Sequence, residues 1–195
     1  MEIVSMRRAS VFGYGLCLAL GAITTGCMTD GNLDEGGASV SSEISLDPTA
    51  SYTMVGVQSN RCVGPVGGST ASGVRLEIET CTGMAIQRFR PEAMGSGFFR
   101  MRNELSGLCI DVSGASPFLG APIIQFACGT GTNQQWLVSD VTGGSERLTA
   151  RHSGQVLDVT GQGTAPGTLL EQWSSNGGAN QHFFMNEALP TIVIN

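Results

Sequence analysis

An all-β body of three 47-residue repeats is the fold class this sequence predicts, and three observations predict it. First, the segment from Gln155 to Phe183 carries Val-Leu-Asp-Val, Leu-Glu-Gln-Trp and Asn-Gln-His-Phe in series. It returns 47 residues earlier as Cys-Ile-Asp-Val, Ile-Ile-Gln-Phe and Asn-Gln-Gln-Trp, and 47 earlier still, worn, as Cys-Val-Gly-Pro, Leu-Glu-Ile-Glu and Ile-Gln-Arg-Phe. A fixed period of this length is the mark of a repeat architecture. Second, each copy holds short alternating apolar runs between turn residues, and no segment sustains a helical period, so about four strands per copy are expected. Third, one copy is too small to bury its own apolar face, so three close around a shared axis.

Composition narrows the function classes. The chain has 195 residues, room for one ordinary domain plus extras, and its ten basic residues are all arginine. A net charge of −6 argues against a nucleic-acid partner, which needs a clustered basic face. Asp30, Asp34, Glu35, Glu43 and Asp47 concentrate negative charge before the repeats. From Tyr52 to Glu187, ten acids stand against eight arginines, a near-neutral balance that suits an uncharged ligand.

Residues 1–26 read as an export signal. Arg7 and Arg8 supply a positive n-region, and Val11 to Ile23 is an apolar stretch of 13 residues, too short to span a bilayer. The sequence Ile-Thr-Thr-Gly-Cys that follows resembles the lipobox of bacterial lipoproteins, which implies lipidation of Cys27, a membrane partner through that lipid, and the cell envelope as location. Thr24 departs from that pattern, which usually has leucine there, and the alternative is an ordinary signal peptide cut elsewhere. Residues 27–51 are polar, acidic and rich in Gly and Ser, the composition of a flexible spacer. The folded domain is expected over 52–188, with 189–195 a tail.

Setting aside Cys17 and Cys27, the remaining cysteines form two pairs with equal intervals of 19, Cys62 with Cys81 and Cys109 with Cys128. The repeat predicts a disulfide within each of the first two copies, and such bonds need an oxidising compartment. Zinc is the rival reading, but the close cysteine pairs of structural zinc sites are missing.

Within the repeats, Val63, Ile110 and Leu157 share one phase, Leu76, Ile123 and Leu170 a second, and Phe89, Trp136 and Phe183 a third; Met54, Met101 and Leu148 begin the copies. Positions apolar in every copy are assigned to the core, Trp136 included. Gln87-Arg88-Phe89, Gln134-Gln135-Trp136 and Gln181-His182-Phe183, together with Cys109-Ile110-Asp111-Val112, resemble the ricin B-type lectin family. That resemblance covers roughly residues 50–188 and implies a β-trefoil with a Gln-x-Trp motif closing each subdomain.

Three other positions change together. Glu79, Phe126 and Trp173 occupy one; Gly64, Asp111 and Asp158 another; Ile86, Asn133 and Asn180 the third. A position that accepts Glu79 is not deep core, because an unpaired buried charge is costly, so Phe126 and Trp173 are read as surface aromatics. Aspartate, aromatic and asparagine together suit a sugar: the ring packs on the apolar C–H face, while carboxylate and amide fix neighbouring hydroxyls. In the resembling family this trio does that work, often with galactose-type sugars. Carried over, the second-copy site is Asp111, Phe126 and Asn133 with Gln134 in support; the third is Asp158, Trp173 and Asn180 with Gln181. The glutamine that family often has two residues before the aromatic is here Ile124 or Glu171. The first copy, with Gly64, Glu79 and Ile86, is expected to be inactive.

The expected function is therefore non-catalytic binding of a glycan or polysaccharide, with no cofactor and no metal. A trefoil scaffold that binds or inhibits proteins through its loops is the alternative. No nucleophile elbow or metal-binding His pair points to an enzyme.

Overall fold

In the computed structural model residues 44–141 and 143–188 are described, and they carry twelve strands. The first copy supplies β1 (Tyr52–Gly56), β2 (Cys62–Pro65), β3 (Leu76–Glu79) and β4 (Phe89–Ala93). The second supplies β5 (Phe98–Asn103), β6 (Cys109–Val112), β7 (Ile123–Phe126) and β8 (Trp136–Val141). The third supplies β9 (Ser145–Ala150), β10 (Val156–Val159), β11 (Thr168–Trp173) and β12 (Phe183–Glu187).

Six of these strands close a ring. Antiparallel pairing runs from β1 to β4, β4 to β5, β5 to β8, β8 to β9, β9 to β12 and back to β1. Closure removes the exposed edges that an open sheet would offer to other chains. The other six form three hairpins, β2–β3, β6–β7 and β10–β11, linked by the bridges Arg75 to Ile124, Pro122 to Glu171 and Thr168 to Ile78. A six-stranded barrel with three hairpins is a β-trefoil.

The core repeats with the sequence. Met54, Met101, Leu148, Val63, Ile110, Leu157, Leu76, Ile123, Leu170, Phe89, Trp136 and Phe183 are all exposed by 1% or less. Each such side chain contributes roughly 1.5–3 kcal/mol by leaving water. Trp136 keeps its polar edge satisfied, donating from Nε1 to the Ile110 carbonyl at 3.3 Å.

The two disulfides form as the intervals predict, with Cα–Cα distances of 4.9 Å for Cys62–Cys81 and 5.1 Å for Cys109–Cys128. In the third copy Val156 is buried at the corresponding place, and Ser175 accepts a hydrogen bond from Arg147 Nη1 at 3.2 Å.

One boundary differs from the sequence reading. The flexible spacer was expected to reach residue 51, but residues 44–51 lie against the barrel. Leu46 is buried in the core, the Ile44 amide donates to the Val138 carbonyl at 3.2 Å, and the Ser51 hydroxyl donates to Glu104. Ile44 and Leu46 alternate within an otherwise polar run, and that is enough apolar surface to dock it. The export signal over 1–26, the lipidation of Cys27 and the tail over 189–195 lie outside the described residues.

Candidate functional site

Each hairpin of the second and third copies builds a pocket beside itself. In the third, Asp158 stands on β10 and Trp173 ends β11, opposite Val156. A single 3-10 turn, Ala179–Gln181, then brings Asn180 and Gln181 back to the same hairpin just before β12 begins. Asn180 Nδ2 donates to Asp158 Oδ2 at 2.9 Å, and Gln181 Nε2 donates to the same oxygen at 2.7 Å. Gln181 also donates to the Ser174 carbonyl at 2.9 Å and accepts from the Asn176 amide at 3.0 Å. The glutamine is fully buried, so it orients the aspartate and the following loop without facing solvent.

The resulting cavity, of about 360 Å³, is lined by Asp158, Gly161, Gln162, Glu171, Trp173, Asn176 and Asn180. That is the lower end of the usual range for small-ligand sites. Trp173 is 39% exposed and forms one wall. The chain passes beside the pocket with Gly161 at a φ of 61°, a left-handed conformation that glycine adopts without strain. Asn180 is buried, and its Oδ1 has no hydrogen-bond partner among the described residues.

The second copy repeats the arrangement. Asn133 Nδ2 and Gln134 Nε2 donate to Asp111 Oδ2 at 2.9 and 2.7 Å, and Gln134 also donates to the Ala127 carbonyl at 2.9 Å. Its cavity, about 330 Å³, is lined by Asp111, Ser113, Gly114, Ala115, Ile124, Phe126 and Asn133. Phe126 is 46% exposed. The structure thus brings together the members of both quartets named from the sequence.

Burial works against the charge of both aspartates. Burial pushes the carboxyls of Asp158 and Asp111 above the ordinary aspartate value, against the opposing effect of their amide donors; at Asp111 the charge of His152 opposes it too. Amide donors on one oxygen fix each carboxylate's direction, which favours directional contact with hydroxyl donors. Among the described residues no group of three or more His, Cys, Asp or Glu is placed to hold a metal ion.

In the first copy the space is filled. A Cβ on Gly64 would stand 2.2 Å from Glu79 Oε1, so the Glu79 carboxyl lies where a side chain at position 64 would have to start. Its buried Oε1 has no hydrogen-bond partner among the described residues, and Ile86 is buried at the place of the asparagines.

Two contributors escaped the sequence reading. Gln125 and Gln172 are buried although the matching residue of the first copy is Ile78. Gln172 Nε2 donates to the carbonyls of Ser116 and Phe118 at 2.7 and 2.8 Å, and its Oε1 accepts from the Ser153 hydroxyl at 2.9 Å. It thereby straps the bend of the second copy beside Trp173, so that a Cβ on Gly120 would lie 3.6 Å from the indole. Gln125 does the same for the first-copy bend, donating to Ser69 and Ala71. The serines of the Ser-Gly turns, Ser106 and Ser153, were the available signal, since each donates to one of these glutamines.

A six-stranded barrel with three hairpins, two of them carrying an aspartate, an amide and an exposed aromatic, defines a β-trefoil of threefold repeats. Residues 50–183 match the family described as the Ricin-type beta-trefoil lectin domain, and the chain belongs to that family. Among solved structures, the designed 3-fold symmetric protein ThreeFoil is 33% identical, with a TM-score of 0.68 over 70% of this chain and 97% of its own. An exo-beta-1,3-galactanase from Clostridium thermocellum is 29% identical at a TM-score of 0.70; the match covers 73% of this chain but only 31% of the galactanase. The C-half of an earthworm R-type lectin, in complex with GalNAc, shares the fold at 17% identity and a TM-score of 0.56, over 71% of this chain and 98% of its own. A comparison with curated proteins finds no match.

Proposed function

We propose that this protein binds carbohydrate of the galactose type without catalysing its turnover, through the second-lobe site of Asp111, Phe126, Asn133 and Gln134 and the third-lobe site of Asp158, Trp173, Asn180 and Gln181. The observation that carries this reading is the recurrence of one constellation at two lobes and its replacement as a unit at the first. An exposed aromatic, a buried carboxylate steered by two amides and a cavity between them match a pyranose with one apolar face and a hydroxyl edge. Family membership and the sugars that appear among the similar structures, a galactanase and a lectin with GalNAc, support the same ligand class.

Shallow single sites of this size bind a monosaccharide at about millimolar strength, near −4 kcal/mol. Two sites on one rigid body raise the avidity for a polysaccharide well beyond that. Export to the cell envelope, with a lipid on Cys27, is part of the same proposal; the two disulfides accord with an oxidising compartment.

A glycan array probed with the purified protein tests the reading. Retention on galactose-type glycans that free sugar competes away is the expected result. An empty array, with a protein recovered instead from envelope extracts, would replace it with the scaffold alternative.

A further inference from the structure

Building on the carbohydrate reading above, we propose that Glu171 makes the third-lobe site selective for sugars that carry a protonated amino group, so that the two sites read different sugars. The cavities share aspartate, asparagine and supporting glutamine. They differ at the residue facing the aspartate. Asp158 stands directly opposite Glu171 across β10–β11, whereas Asp111 stands opposite Ile124 across β6–β7. Both Glu171 and Ile124 line their cavities. The third-lobe lining therefore holds two carboxylates and no basic residue; the second holds one carboxylate and a branched apolar side chain.

Like charges directly opposite each other on a hairpin cost stability. Glu77 occupies the same position in the first lobe, where its Oε1 accepts from the Gly67 amide at 3.2 Å and so fastens a turn. Glu171 lines the cavity, with Oε2 3.6 Å from where a Cβ on Gly120 would stand, as Glu77 Oε2 stands 3.7 Å from that of Gly167.

The charged and polar groups around Glu171 are Asp158 across the hairpin, Arg75 near β3 and Thr160 after β10. Burial and the Asp158 charge raise its pKa above the ordinary glutamate value, while Arg75 and Thr160 work against that rise. Arg75 is partly committed elsewhere, donating from Nη2 to the Leu170 carbonyl at 3.2 Å. A carboxylate whose ionisation is opposed by a second one gains most from an arriving cation. The ammonium of an amino sugar brings three N–H donors to such a pair, and charge-assisted bonds are the strong ones. Asn180, in the wall of the same cavity, donates from Nδ2 to Asp158 Oδ2 at 2.9 Å and so fixes one carboxylate of the pair. A neutral hexose offers only hydroxyls there, and a uronic acid would add a third negative charge and be turned away.

The test uses intrinsic fluorescence of the full chain. Of its two tryptophans Trp136 is sealed in the core, so a ligand-dependent change reports on Trp173 and hence on the third site. D-galactosamine, D-galactose and D-galacturonic acid are titrated at pH 7 in low salt. Galactosamine should bind about threefold to tenfold more tightly than galactose, with galacturonic acid the weakest, and the preference should shrink as salt is added. Glu171→Gln should bring the galactosamine-to-galactose ratio to about one, and Glu171→Ile, which copies the second lobe, should do the same while raising the melting temperature. A wild-type ratio of one, or a preference that survives Glu171→Gln, overturns the proposal and leaves the lectin reading in place. No Trp173 response to any of the three sugars overturns both.

Discussion

Gln181 Nε2 lies 2.7 Å from Asp158 Oδ2, and 47 residues earlier Gln134 Nε2 lies at the same 2.7 Å from Asp111 Oδ2. The glutamine of each Gln-x-aromatic motif thus joins the core to the pocket. Its neighbour two residues on is the deepest aromatic of the repeat, and its own amide aims the carboxylate. Gln181→Ala should weaken glycan retention although Gln181 is sealed from solvent. It should also cost roughly 1–3 kcal/mol of stability, because the Asp158 carboxylate and the Asn176 amide each lose a partner. Thermal melting and retention on a glycan resin, run on the same variant, check both halves.

The two tryptophans should separate binding from folding. Trp173→Ala removes a side chain that is 39% exposed and should abolish most retention at the third lobe while leaving the melting curve nearly unchanged. Trp136→Ala empties the centre of the barrel and should destabilise by roughly 3–5 kcal/mol. Retention at the wild-type level by the Trp173 variant would move the site elsewhere.

Acid should release the ligand earlier than ordinary aspartates would. Burial raises the pKa values of Asp158 and Asp111 above 3.8, so protonation removes the acceptor at a pH above that value, and retention should fall as pH falls through the raised values. Stability responds with the opposite sign. In that window the folded protein binds these protons more readily than the unfolded chain, so the ionised carboxylates cost stability near neutrality and the cost is relieved on acidification. At Glu92 and Glu104 burial also raises the pKa, but the bonds from Arg102 and Arg100, and from Ser51 and Arg88, outweigh it. Their contribution is present above the ordinary glutamate value of 4.5 and lost as pH falls through the lowered values. The difference between wild type and Asp158→Asn, melted across the acid range, isolates the aspartate.

The first lobe can be reopened only as a set. Gly64→Asp alone should lower the melting temperature, since the new Cβ displaces the Glu79 carboxyl and sets a second carboxyl against it. Gly64→Asp with Glu79→Trp and Ile86→Asn rebuilds the constellation and should add a third site, raising retention on a multivalent glycan surface above the wild-type level.

The barrel was readable in the sequence because symmetry supplies its own comparison. A phase that is apolar three times, such as Phe89, Trp136 and Phe183, has to be interior. The same comparison singled out the two candidate pockets, where three positions changed together. It failed where the copies differ for reasons of packing alone. Ile78 against Gln125 and Gln172 looks like a surface position, yet all three are buried, and only the serine and bend carbonyls across the lobe boundary make the glutamines affordable there. Residues 44–51 were misjudged for a different reason: composition averages over a run, and the two apolar residues that dock it were outvoted by their polar neighbours.

The strap from Gln172 to the second-lobe bend has an implication for how such a pocket can arise. Every residue that lines the third-lobe cavity, from Asp158 to Asn180, lies within one 47-residue unit, while the second-lobe bend passes beside Trp173, where a Cβ on Gly120 would lie 3.6 Å from the indole. The neighbouring lobe therefore lends the indole support and no lining residue, and a unit cut out alone would keep the residues of the cavity while losing the bend they rest beside.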